Sequence, residues 1–164
     1  MIQLCFHGAE STGKSLLAAK LGLPWVPEYG REYAEARGTD FAMADLLAIA
    51  AGHHARVEAA MAARPAVLIL DTDALMTAAW AEMLFGEVPD RLLAYPKADR
   101  YLLFDAEVPW IDDGTRMFGS PNDRARFAAI AEAMLRRAGV RFEHITGDWA
   151  AREAQVMRII ADLT

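Results

Sequence analysis

The segment after the first apolar run constrains the fold most strongly. Residues 8–15 have the sequence GAESTGKS, which matches the pattern G-x-x-x-x-G-K-[ST]. An apolar run precedes this segment and an apolar helical pattern follows it. Glycines let the backbone curl so that successive N–H groups point at phosphate oxygens, and the following helix adds the positive end of its dipole. The sequence therefore predicts a phosphate-binding loop between a strand and a helix.

The loop residues have separate predicted roles. Lys14 is expected to reach the outer phosphates of a nucleoside triphosphate, and the Ser15 hydroxyl to ligate a magnesium ion. The residues predicted to contact the nucleotide are Gly8, Glu10, Ser11, Thr12, Gly13, Lys14, Ser15 and Leu16.

Strand-length apolar runs alternate with longer helical patterns along the whole chain. The patterns predict strands at 2–7, 25–27, 66–70, 101–104 and 141–146. They predict helices at 14–21, 31–37, 40–63, 74–85, 89–95, 124–138 and 148–163. Thr39 and Asp40 are predicted to cap the third helix. This alternation predicts an α/β fold in one domain over 1–164, with helices on both faces of a parallel sheet.

Composition limits the partners that this chain could have. The 164 residues carry a net charge of -6, which argues against nonspecific binding to nucleic acid. No apolar stretch is long enough to predict a membrane span, and no basic leader precedes the first strand. The single cysteine excludes an internal disulfide. We therefore expect a cytoplasmic protein, and a homo-oligomer is compatible with the sequence, which does not specify the oligomeric state.

Two aspartates follow the apolar run AVLIL. Asp71 ends this run, the pattern of a strand that supplies a carboxylate to magnesium and substrate. Asp73 lies two residues later and has two alternative roles. It either binds a substrate hydroxyl, which Asp73 or Glu28 would orient and deprotonate, or caps the helix that begins at residue 74.

The segment EYGREY, residues 28–33, follows the second predicted strand. Ligands of an open parallel sheet lie beyond the carboxyl ends of its strands, so Glu28 and Arg31 are expected near Lys14. Glu28 could accept a proton from an attacking hydroxyl, and Arg31 could bind a phosphate. The alternative is a solvated ion pair at a helix N-terminus.

A long polar segment, about 109–125, is predicted to form a lid. Arg116 lies between two glycines and is expected to neutralise charge on a transferred phosphoryl group. The alternative is a surface arginine at the start of a helix, which fits Arg124 and Arg126 well and Arg116 poorly. Trp25 or Trp110 could stack on an aromatic base. His53 and His54 lie within an alanine-rich helical pattern without a zinc-binding spacing, so a structural zinc is not expected, and one of them is interpreted as a core histidine.

Taken in order, GAESTGKS, EYGREY, AAGHH, LILDTD and PWIDDGTRMFGS resemble the ribosylnicotinamide kinase domain of NadR-type proteins. The resemblance runs through nearly the whole chain. It implies a P-loop kinase with five parallel strands in the order 2-3-1-4-5. It also implies transfer of the γ-phosphate of ATP, with Mg²⁺, to the 5′-hydroxyl of nicotinamide riboside, a small-molecule substrate. The product would be nicotinamide mononucleotide, within NAD biosynthesis.

The resemblance also assigns residues. It implies that Lys14 and Ser15 hold the triphosphate and magnesium, and that Asp113 and Arg116 act from the lid. The family often has an aromatic residue directly before the EYGR element, where this chain has Pro27. Trp25 or Tyr29 is then expected to stack on the nicotinamide ring. NadR-type proteins commonly add an adenylyltransferase domain, so we expect either the kinase part alone or a stand-alone relative.

Two points stay open at this level. The protein could instead be an ATP- or GTP-hydrolysing switch that acts on a protein partner, or a kinase for a different nucleoside or nucleotide. The base of the phosphate donor is also open, and residues 146–152, after the last strand, are expected to contact it by analogy of fold.

Overall fold

A five-stranded parallel sheet forms the centre of the molecule. The structure, a computed structural model, describes residues 1–112, 114 and 116–163. Its strands are β1 (Ile2–His7), β2 (Trp25–Val26), β3 (Val67–Asp71), β4 (Arg100–Phe104) and β5 (Phe142–Ile145). Its order is β2-β3-β1-β4-β5, so the strand order implied by the resemblance is confirmed.

Helices connect the strands and cover both faces of the sheet. They are α1 (Lys14–Lys20), α2 (Tyr29–Arg37), α3 (Met43–Met61), α4 (Ala74–Phe85), α5 (Asp90–Leu93), α6 (Pro121–Ala138) and α7 (Trp149–Leu163). Across the described ranges, no helix combines the length and the hydropathy that crossing a bilayer requires.

Alternate residues of β1 pack against different helices. Leu4 and Phe6 belong to a core cluster that includes residues of α1 and α7. Cys5, between them, belongs to a cluster with residues of α3, α4 and α6. This alternation follows from the two-residue period of a strand and buries both faces of the sheet.

The register of β1 positions the site. Phe6 of β1 pairs with Asp71 of β3, and His7 pairs with Leu103 of β4. The carboxyl ends of the three central strands therefore meet at one edge of the sheet, where the loop 8–13 leaves β1.

Two predicted helix starts were wrong by three residues. Helix α3 begins at Met43 rather than at residue 40, and Asp45 in its first turn accepts a hydrogen bond from the Ala42 N–H at 2.8 Å, so Thr39 and Asp40 are not its caps. Helix α6 begins at Pro121 rather than at residue 124, with Ser120 as its N-cap. A serine followed by proline is a common helix start, because proline lacks only an N–H that would be unpaired there.

Candidate functional site

The phosphate loop has the conformation that its glycines predict. Gly8 has φ 129°, and a Cβ at this position would lie 2.6 Å from the Phe104 carbonyl oxygen. Gly13 has φ 86° and precedes α1 as its left-handed N-cap. Both positions therefore require glycine, for close packing and for backbone conformation. The loop delivers the free N–H groups of the first turn of α1 to one point, which is an anion-binding arrangement.

Lys14 lies inside the loop. Its Nζ donates hydrogen bonds to the carbonyl oxygens of Gly8 at 2.9 Å and Ala9 at 2.7 Å, and to Thr12 Oγ1 at 3.2 Å. Burial lowers the pKa of Lys14, and the nearby carboxylates, Glu28 first, act in the opposite direction. The acidic neighbours therefore oppose the loss of positive charge that burial favours at the centre of the site.

Asp71 fits the role of a metal ligand. The residue is fully buried, and neither carboxylate oxygen accepts a hydrogen bond from a described residue. Burial raises its pKa, while the nearby positive charge of Lys14 acts to lower it. A buried carboxylate without a donor is costly, so a cation between Asp71 and Ser15 would stabilise it. Among the described residues, no group of three His, Cys, Asp or Glu side chains is placed to hold a metal ion. A magnesium ion that is bound together with nucleotide phosphates does not need such a group, because the phosphates supply part of its ligands.

Glu28 lies at the N-terminus of α2 but does not cap it with its side chain. The half-buried residue lines the same cavity as Lys14 and Arg31. Burial raises the pKa of Glu28 to about 7, and the negative charge of Asp71 adds to this effect. The carboxylate is therefore poised to exchange a proton near neutral pH, which a solvated surface glutamate would not do.

Asp73 caps a helix, one of the two roles that the sequence left open. Its Oδ1 accepts a hydrogen bond from the Leu75 N–H at 2.9 Å, at the start of α4. Its Oδ2 accepts one from the buried Tyr101 hydroxyl, which in turn accepts the Ala98 N–H at 3.1 Å. Burial raises the pKa of Asp73, and these donors partly offset it. Asp73 also lines the cavity, but both of its oxygens have partners within the protein.

A stability measurement separates the two roles of Asp73. We expect Asp73→Ala to lower the free energy of unfolding by about 2 to 4 kcal/mol, because it removes a helix cap and leaves the Tyr101 hydroxyl without an acceptor. Urea unfolding would measure this loss. Tyr101→Phe should lose less, and the two changes together should be less than additive. An Asp73→Ala protein of unchanged stability would contradict the capping role.

The predicted lid segment contacts the phosphate loop. The Glu10 carboxylate accepts hydrogen bonds from the N–H groups of Met117 and Phe118, each at 3.1 Å. The Ser11 hydroxyl accepts the Ile111 N–H at 2.8 Å and Arg116 Nη1 at 3.1 Å. Glu10 and Ser11, which the loop motif leaves unspecified, thus bind the segment that carries Arg116. Asp113, the other predicted lid residue, lies outside the described residues.

One cavity of about 360 Å³ joins these elements. All eight predicted loop residues line it, as do Glu28, Tyr29, Arg31, Asp73 and Arg116. Beyond the loop the cavity continues between α2, α3 and α4. Its walls there are mainly apolar and aromatic, and the large side chains are Tyr29, Phe41, Leu46, Ile49, Met76, Trp80 and Phe127.

Two predicted tryptophans lie outside this cavity lining. Trp25 packs against the core cluster that includes residues of α1 and α7. A two-residue edge strand directs alternate side chains to opposite faces, and Trp25 points to the face away from α3. Trp110 packs over Gly119, where an added Cβ would lie 3.0 Å from Trp110 Cη2. Trp110 is also absent from the cavity lining. Tyr29 is the predicted aromatic that the structure brings to the cavity.

Sequence analysis missed several lining residues. Phe41, Trp80 and Phe127 form an aromatic group, with Phe41 and Trp80 centroids 6.4 Å apart and Trp80 and Phe127 centroids 5.2 Å apart. His53 is 5% exposed and also lines the cavity. Burial lowers the pKa of His53 to about 4, so its ring is neutral at physiological pH. No spacing pattern connects these four positions, since they lie on separate elements.

The segment after β5 also reaches the loop. Trp149, at the start of α7, lines the cavity beside Gly13. Arg152 is 1% exposed and joins three chain segments through carbonyl oxygens, namely Gly147 at 2.8 Å, Asp105 at 2.8 Å and Thr12 at 3.3 Å. A fully buried arginine at this position could not be distinguished in the sequence from the surface arginines around it.

The fold and the site define a P-loop protein with the architecture of nucleoside kinases. A family model described as an AAA domain matches residues 3–152. The chain belongs to this AAA domain family.

Individual relatives agree with this assignment. The chain is 30% identical over 170 aligned residues to the trifunctional NAD biosynthesis/regulator protein NadR of Salmonella typhimurium, which confirms the resemblance seen in the motifs. This match covers 95% of the chain but 41% of the relative, so the chain spans less than half the length of that protein.

Solved structures share the fold at lower identity. A crystal structure of NadR protein in complex with NR superposes with a TM-score of 0.84 at 22% identity, covering 99% of this chain and 51% of that one. Deoxyadenosine kinase from M. mycoides, in a structure with dCMP and a flexible dCDP bound, superposes with a TM-score of 0.67 at 11% identity, covering 98% and 100%. At these identities the likeness is one of fold.

Proposed function

We propose that this protein is a magnesium-dependent kinase that transfers the γ-phosphoryl group of ATP to the 5′-hydroxyl of a ribonucleoside, with nicotinamide riboside preferred. One observation carries the proposal. The phosphate loop and Glu28, a carboxylate whose pKa burial raises to about 7, line one cavity whose other walls are mainly apolar and aromatic. The likeness to NadR supports nicotinamide riboside as the acceptor, as does a shared fold with a complex that contains NR. A cytoplasmic location is part of this proposal and rests on the sequence alone.

The residues divide the reaction among them. The donor triphosphate lies on the loop 8–15, with Lys14 on its outer phosphates. The acceptor base lies among the aromatic side chains beside Tyr29, and its ribose points to Glu28. Glu28 accepts the proton of the 5′-hydroxyl as that oxygen bonds to the γ-phosphorus. The bond from this phosphorus to the bridging oxygen breaks, and ADP leaves.

The cations stabilise the phosphoryl group during transfer. Ser15 and Asp71 would hold magnesium, which would neutralise negative charge on the phosphates. Arg116 lines the cavity and donates a hydrogen bond to the Ser11 hydroxyl, and in this proposal it contacts the phosphates from the lid side. Burial raises the pKa of Glu28, and the positive charge of Arg31 partly opposes this effect.

A direct assay tests the function. The purified chain would be incubated with Mg-ATP and a panel of nucleosides that includes nicotinamide riboside, adenosine and deoxyadenosine, with ADP release and product mass followed. We expect acceptor-dependent ADP release and a monophosphate of nicotinamide riboside. ADP release independent of every acceptor would support a hydrolysing switch instead. Phosphorylation of another nucleoside alone would support the kinase activity but contradict nicotinamide riboside as the acceptor.

A further inference from the structure

A glycine, Gly52, lies in the interior of the alanine-rich helix α3. Glycine is the least favourable residue apart from proline at such a position, and α3 continues past it to Met61. An added Cβ at Gly52 would lie 2.8 Å from both Cδ1 and Cζ of Tyr29, and closer still to Cε1. Because non-bonded carbon atoms pack at about 3.5 to 4.0 Å, only glycine leaves room for the Tyr29 ring where it lies.

Neighbouring side chains hold the Tyr29 ring in this place. The guanidinium carbon of Arg56 lies 4.5 Å from the ring centroid, and Arg56 Nη2 donates a hydrogen bond to Glu32 Oε1 at 2.8 Å. The ring of Tyr33 lies edge-on to that of Tyr29, with the two centroids 6.2 Å apart. Packing between α2 and α3 therefore fixes the ring, and the backbone of α3 at Gly52 forms one side of its place.

Gly52 itself is outside the cavity lining, to which Tyr29 belongs. It would therefore act on a bound acceptor only through the Tyr29 ring. We propose that Gly52 is a positioning residue, which lets the Tyr29 ring stand in the cavity wall where the acceptor base packs against it. The glycine of the segment AAGHH, residues 50–54, thereby has a role that its helix does not explain. This inference rests on the proposed function in so far as the acceptor base lies beside Tyr29.

A double-mutant cycle in urea unfolding tests the packing without any substrate. Gly52→Ala should lower the urea concentration at the unfolding midpoint of the wild-type protein, because the added methyl group displaces the ring. In the Tyr29→Ala background the same change should raise the midpoint, because alanine favours a helix more than glycine does and no ring opposes it. A midpoint shift in the wild-type protein that equals or exceeds the shift in the Tyr29→Ala background would overturn the inference.

Steady-state kinetics with nicotinamide riboside tests the effect on acceptor binding. Gly52→Ala and Tyr29→Ala should each raise the KM for the acceptor by about 5- to 150-fold, the range that loss of one stacked base gives, and leave the KM for ATP unchanged. The double variant should raise the acceptor KM no further than Tyr29→Ala alone, because both changes remove the same contact. A rise of less than about fivefold in Gly52→Ala would contradict the positioning role.

Ala55→Ser is the matched control for the added atom. It also adds one heavy atom to α3, but at an exposed position outside the cavity lining. The acceptor KM of this variant should equal that of the wild-type protein.

The outcomes separate this inference from the proposed kinase function. The expected unfolding cycle with no nucleoside phosphorylated would leave the placement of Tyr29 by Gly52 standing and reject the kinase. Phosphorylation of nicotinamide riboside with an acceptor KM that Gly52→Ala does not change would do the reverse.

Discussion

Replacing Lys14 by methionine is expected to lower kcat by about 10³-fold or more. Phosphoryl transfer depends mainly on positioning and electrostatic stabilisation, and Lys14 is the buried cation at the centre of the loop. Methionine has nearly the same length but no charge, so the change tests the charge rather than the volume. Steady-state kinetics with saturating Mg-ATP and nicotinamide riboside would measure the loss.

Lys20 provides the matched control for this substitution. It ends the same helix, and its exposed ammonium pairs with Glu153 at 2.5 Å on the surface. Lys20→Met should leave kcat unchanged, since neither Lys20 nor Glu153 lines the cavity and an exposed pair contributes little. Thermal unfolding of both variants would identify any general loss of structure. A folded Lys14→Met enzyme that retains more than a tenth of the wild-type kcat would contradict the role of Lys14.

Replacing Glu28 by glutamine is expected to lower kcat by about 10²- to 10⁴-fold, the usual contribution of a positioned general base. Glutamine keeps the shape and hydrogen-bonding capacity of the side chain but cannot accept the proton. The KM for ATP should change little, because Glu28 is assigned to the acceptor. Glu87→Gln, at an exposed position outside the cavity lining, is the matched control and should behave as wild type.

The pH profile is a second signature of Glu28. Burial raises its pKa to about 7, so the residue is protonated below that pH and cannot act as a base. The wild-type kcat/KM should therefore rise about tenfold per pH unit up to about pH 7 and then level off. Glu28→Gln should lose this limb of the profile. A flat wild-type profile between pH 5 and 7 would show that Glu28 is not the base.

Parts of the site could be predicted from local sequence because their chemistry is local. The loop 8–15 needs glycine at two backbone positions and a helix directly after it, and all of these lie within one short segment. Asp71 could be predicted because a carboxylate that ends a buried strand must lie at the carboxyl edge of a parallel sheet. Glu28 and Asp73 were predicted as candidates, but the sequence did not decide between their alternative roles.

Burial and hydrogen-bond partners distinguish these two carboxylates. Asp73 has the Leu75 N–H and the Tyr101 hydroxyl as donors, the latter 28 residues away in sequence. Glu28 has no cap interaction and lies in the cavity, where burial changes its pKa. A sequence pattern cannot separate a capping carboxylate from a catalytic one, because both follow a strand and precede a helix.

The sequence alone determined the order of the elements, the phosphate loop and the class of fold. These depend on backbone conformation and hydrophobic periodicity over short segments, which neighbouring residues encode. Only the tertiary structure decided which aromatic side chains face the cavity. Trp80, Phe127 and Trp149 line it, whereas Trp25 packs against the core. The direction of a side chain on a packed helix depends on how that helix is rotated against distant partners, and no local pattern records that rotation.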